Sequence, residues 1–80
     1  MESLQEKIDN LHPWFNDMKD PANGVSIHDV IEHEGQTYVF WSDKKGYSVS
    51  HRAYDGHAQG TSGTYSSLFK CFQCIPNYEG

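Results

Sequence analysis

Eighty residues with a net charge of −5, 36% apolar and 14% aromatic, suffice for one small domain over residues 1–80 with a thin core, and exclude a large multi-layer enzyme. No apolar run approaches the roughly 20 residues with which a helix spans a bilayer. The acids are unevenly placed: Glu2, Glu6, Asp9, Asp17, Asp20, Asp29, Glu32 and Glu34 fall within residues 1–34 against Lys7 and Lys19, whereas Asp43, Asp55 and Glu79 meet Lys44, Lys45, Arg52 and Lys70 in the remainder. An acidic end and a near-neutral end steer basic partners. Scattered cations do not form the basic stripe that phosphate neutralisation needs, so direct binding to DNA or RNA is disfavoured.

In chain order, Ser3 and Glu6 match a capping box, and Leu4, Ile8, Leu11 and Phe15 then recur at helical spacing. Pro13 lies inside that pattern, so the N-terminal helix is expected to kink or to restart with Pro13 as the first residue of a second short helix. Pro21-Ala22-Asn23-Gly24 ends it. β-branched and aromatic residues then take over, and Val25–His33, Gln36–Ser42 and Tyr47–Tyr54 read as three strands separated by Glu34-Gly35 and Asp43-Lys44-Lys45-Gly46. These make an antiparallel meander. Its middle strand sets Tyr38 and Phe40 against Thr37, Val39 and Trp41, as in a central strand covered on both sides. Asp55–Gly63, rich in glycine and without a large apolar side chain, reads as a loop. Leu68, Cys71, Phe72 and Ile75 form a short apolar helical stripe that Pro76 terminates, with Ser62 or Thr64 as its expected cap. The fold class is α+β: a broken N-terminal helix, a three-stranded antiparallel meander and a short C-terminal helix.

Several constellations are candidates for chemistry. Cys71-Phe72-Gln73-Cys74 supplies two of the four ligands of a structural zinc, and His51 with His57 would have to complete the set at a spacing that matches no familiar zinc module. The plainer reading makes Cys71 a small core residue and Cys74 its neighbour one turn on. A redox dithiol is disfavoured because the pair falls late in its helix, away from the positive end of the dipole. The glycines between Gly56 and Gly63 resemble a phosphate cradle, but no lysine stands between Lys45 and Lys70, so the Walker pattern is missing and only a bare anion site remains. Serine, histidine and aspartate are too numerous for a triad to mean anything. Trp14, Phe15 and Trp41 are either core or partner-facing anchors.

No catalytic residue or cofactor is therefore assigned, and zinc stays as the alternative. The leading expectation is a small acidic protein-interaction module that inhibits or occludes a larger partner with a basic surface, in particular a nucleic-acid-handling protein. Glu2, Glu6, Asp9, Asp29, Glu32 and Glu34 would meet that surface, and Trp14 and Trp41 would anchor it. In size and charge the chain resembles, at the level of class alone, phage and mobile-element proteins directed at host defence, anti-CRISPR proteins among them. The acidic amphipathic start, without a basic and then apolar leader, points to the cytoplasm. A free sheet edge or an apolar face in so thin a domain also allows a homodimer.

Overall fold

A computed structural model of the chain describes residues 3–61 and 63–78. Helix α1 spans Leu4–Asp9, and the Ser3 hydroxyl accepts from the Glu6 amide at 3.2 Å, as the capping box requires. The chain breaks before Pro13 and restarts with it: Pro13–Phe15 is a 3₁₀ turn with proline at its first position, where a missing amide hydrogen costs nothing. His12 caps this turn, its Nδ1 accepting from the Trp14 amide at 3.0 Å. The chain continues into α2, Asn16–Lys19, and a second 3₁₀ turn, Pro21–Asn23.

Four strands follow, where the sequence suggested three. β1 (Ser26–His33), β2 (Gln36–Asp43), β3 (Gly46–Ala53) and β4 (Gln59–Thr61) form one antiparallel sheet in sequential order. The segment expected to be a loop thus folds back onto β3: Ser50, His51 and Arg52 pair with Thr61, Gly60 and Gln59. β4 has no large apolar side chain, so its pairing rests on backbone hydrogen bonds and polar contacts, among them Ser50 Oγ to Thr61 Oγ1 at 3.0 Å. The β1–β2 hairpin turns on Glu34 and Gly35, both at positive φ (50° and 78°), the backbone that a two-residue hairpin demands.

The two faces of β2 separate two apolar clusters. On the first, Tyr38 and Phe40 join Val49, Cys71 and Ile75, beneath α3 (Leu68–Phe72) and the turns after it. We call this the ring face, because Phe72 lies 4.5 Å from Phe40 and Tyr78 stacks on Phe72, centroid to centroid. On the second, the helical face, Val39 joins Val30, Leu11 and Phe15, with Ile8, Met18, Ile27 and Trp41 around them. A bulge in β1 between Ile27 and Asp29 makes this possible. Strict alternation would put residues 27 and 30 on opposite sides, whereas the extra residue brings Ile27 and Val30 onto the same one. The cap of α3 is Ser67, whose hydroxyl accepts from the Lys70 amide at 3.4 Å. Thr64 does not serve as that cap, and Ser62 lies outside the described residues.

Candidate functional site

The acids of the N-terminal segment gather on one flank. α1 and α2 pack against β1, which is an edge strand, so Glu6 and Asp9 on the helix share this side with Asp29, Glu32 and Glu34 on the strand and its turn. All but Asp29 are exposed; Glu2 lies outside the described residues. The two lysines of the segment do not neutralise them by contact. Lys7 Nζ donates to the Val30 carbonyl at 3.5 Å and Lys19 Nζ to the Leu11 carbonyl at 3.4 Å. Among the described residues the one pairing of an acid with a basic side chain within 4.0 Å is Glu34 with His33, at 3.9 Å. Of the cations of the other half, Lys44 and Lys45 lie in the β2–β3 turn and Lys70 on α3, whereas Arg52 on β3 shares a cross-strand row with Glu32.

The same flank is closed to strand addition at its centre. Asp29 Oδ1 accepts from the Val30 amide at 2.8 Å while Lys7 takes the Val30 carbonyl. Both main-chain groups of Val30 are thus occupied by side chains, a device by which edge strands avoid pairing with another chain. At the opposite edge, β4 is three residues long.

The two tryptophans have different surroundings. Trp14 is 36% exposed and stands edge-on to the buried Phe15 ring at 4.9 Å, which leaves an indole available to a partner. Trp41 is half-buried against the Val39 cluster, and its Nε1 donates to Ser50 Oγ at 2.9 Å. That hydrogen bond satisfies the almost fully buried hydroxyl of Ser50 on the helical face. Two other rings are far more exposed than either indole, Tyr54 at 72% and Phe69 at 70%.

The residues considered for zinc are dispersed. Cys71 is fully buried in the ring-face cluster and Cys74 is exposed, its Sγ 2.9 Å from the Tyr65 hydroxyl. His51 Nδ1 is 2.9 Å from Gln36 Oε1, and His57 lies exposed in the turn after β3. Among the described residues no group of three or more His, Cys, Asp or Glu side chains could hold a metal ion. Burial, with a smaller contribution from Cys74, pushes the Cys71 thiol above its ordinary pKa, the opposite of what a reactive thiolate needs.

A groove not foreseen from the sequence lies between α1 and the far end of the helical face. It has a volume of about 590 Å³. Leu11, Phe15 and Val30 supply its apolar surface, and Lys7, Glu32, Thr37 and Arg52 its polar part. Three of these form one cross-strand row, since Glu32 pairs with Thr37 and Thr37 with Arg52. Tyr54 closes the row; its phenol pKa is raised, first by the hydrogen bond to Glu32 and then by that carboxylate's charge. Once the register is known the row follows from sequence, but its meeting with Lys7 depends on how α1 docks.

Comparison with protein families, with characterised proteins and with solved structures finds no match for this chain. Among the described residues no helix is long and apolar enough to cross a membrane.

Proposed function

We propose that this chain is a small acidic protein-interaction module of the cytoplasm that binds a larger partner through a basic surface and occludes it. A nucleic-acid-handling protein is the partner class, because a basic surface built for phosphates is what a flank of carboxylates can cover. The role is binding rather than catalysis. The observation that carries this reading is the flank of α1 and β1, where Glu6, Asp9, Glu32 and Glu34 are exposed and, among the described residues, no lysine or arginine lies within ion-pair distance of them. Unmatched carboxylates on one side create a field rather than a set of internal bridges. Trp14 adds an aromatic anchor beside them. The blocked centre of the β1 edge favours contact through side chains over strand addition. In this role the chain is analogous to phage and mobile-element inhibitors of host defence, anti-CRISPR proteins among them, and the analogy is one of class.

The test begins with capture of nucleic-acid-binding proteins from a lysate on the immobilised chain and on its Glu6→Lys/Asp9→Lys variant. A captured protein is then purified and its nucleic-acid binding measured with increasing amounts of the chain. The reading expects displacement of the nucleic acid by the wild type and at least a tenfold weaker effect of the variant, roughly what loss of two close charge pairs brings. Displacement that both proteins achieve equally, or a partner that binds the chain and its nucleic acid together, overturns it.

A further inference from the structure

The helical layer stops short of the end of the sheet it covers. Leu11 and Phe15 bury Val30 and Val39, but the next cross-strand row, Glu32, Thr37 and Arg52, is left facing the groove beside α1. Lys7 reaches that groove from the helix and Arg52 from β3. In a chain of net charge −5, two half-buried cations thus line one recess, and among the described residues neither has a carboxylate within ion-pair distance.

Both cations retain hydrogen-bonding capacity. An ammonium has three donors and a guanidinium five. Among the described residues, Lys7 Nζ makes one hydrogen bond, to the Val30 carbonyl, and Arg52 makes one through its side chain, to Gln59 Oε1. Arg52 is also braced from behind. Gly56 has φ +76°, and a Cβ there would come within 3.0 Å of Arg52 Nη2, so the turn after β3 seats the guanidinium against a backbone with no side chain. A braced guanidinium loses little freedom when it takes up a carboxylate or phosphate. The rest of the recess has the composition of a ligand site, an apolar floor of Leu11 and Val30 over the buried Phe15, the exposed Tyr54 ring and a few polar groups, and its volume of about 590 Å³ falls among ligand pockets of roughly 300–1,000 Å³.

We propose that this groove binds a small molecule with one acidic group on an apolar body, the acid held by Lys7 and Arg52 and the body against Leu11, Val30 and the Tyr54 ring. Glu32 limits the ligand to a single acidic group, since a second anion would meet its carboxylate. Carboxylate and phosphate share this chemistry. The site does not rest on the acidic-flank reading, with which it has Glu32 and Lys7 in common.

The test is a titration of the ¹⁵N-labelled chain with phenylacetate, phenyl phosphate, acetate and phenethylamine, read by amide shifts. Expected are saturable shifts at Thr37, Arg52 and Ala53 with either aromatic anion, weaker binding of acetate, and none of phenethylamine; the stronger aromatic anion identifies the acid. Arg52→Gln and Lys7→Gln should each weaken binding roughly tenfold, Arg52→Lys should keep part of it, and Lys44→Gln, remote from the groove, should bind as the wild type does. Amide dispersion in the same spectra verifies that each variant is folded. Absence of saturable shifts with both aromatic anions, equal binding of phenethylamine, or full binding by folded Arg52→Gln and Lys7→Gln overturns the proposal.

Discussion

On the ring face, Tyr38, Phe40 and Val49 meet Cys71 and Ile75, and Phe72 and Tyr78 extend the stack. The His33 ring, in edge-on contact with Tyr78 and with its Nε2 3.1 Å from the Pro76 carbonyl, fastens the C-terminal turns over this face. On the helical face, short helices contribute Leu11 and Phe15 above Val30 and Val39, and the sheet runs on beyond them into charged residues. The difference is one of layer length. A helix of six residues rises about 9 Å, while a strand of eight runs about 26 Å, so a broken N-terminal helix cannot cover the strands it packs on. The ring face is covered along its length, and the uncovered remainder of the other face, with the acidic flank beside it, is the part on which the proposed recognition rests.

The strongest way to break this contrast is to empty each cluster in turn. Phe40→Ala and Phe15→Ala each remove a fully buried ring and should cost about 3–5 kcal/mol, a large part of the stability of so small a domain; urea unfolding measures it. The two should differ in a second respect: Phe15→Ala, where folded, also alters the groove, and Phe40→Ala does not. Next in size is Gly46→Ala. At φ +135° its Cβ would approach the Tyr65 carbonyl oxygen to 2.9 Å, where Tyr65 pairs with Tyr47, and a loss of roughly 1–3 kcal/mol is expected in the same assay. Trp41→Phe keeps an aromatic ring but removes the donor to Ser50 and part of the packing on Val39, so about 1–2 kcal/mol is lost. A result near zero would mean that Ser50 is satisfied by Thr61 alone.

The smallest effect sharpens the contrast through pH. Burial raises the thiol of Cys71 and the phenol of Tyr38, both on the ring face. As pH rises past their ordinary values the unfolded chain loses these protons first, so unfolding releases protons and stability falls. The thermal midpoint should therefore decline through the alkaline range. Cys71→Ala should lessen the decline, and a thiol reagent at neutral pH should modify exposed Cys74 well before Cys71.

What could be read from sequence follows from how local each signal is. The break at Pro13, the Ser3 cap and the Glu34-Gly35 hairpin depend on neighbours in the chain, and the two-sided burial of β2 shows in its alternating large residues. β4 carries no such mark, because Gln59, Gly60 and Thr61 form a strand only by borrowing the free edge of β3. The bulge at Ile27/Asp29 hides in the same way: it left the side chains of β1 facing differently from a simple alternation. Of the acidic residues, their exposure on one flank follows from α1 packing on β1, which sequence suggested only as a charge count. The sequence sets Trp41 beside Trp14 without distinction, since nothing local to an indole reveals a hydroxyl nine residues away. The groove was hidden most completely, being assembled from α1, β1, β2 and β3.

Recognition through the acidic flank is tested most directly by the association rate between the chain and a basic partner captured as proposed above, across a series of salt concentrations, for the wild type and for Glu6→Lys/Asp9→Lys, residues outside the groove. Expected are a wild-type rate that falls steeply with ionic strength and a variant that is slow at low salt and nearly insensitive to it, with its unfolding free energy within about 0.5 kcal/mol of the wild type. Rates that are the same for the two proteins at every salt concentration would contradict it.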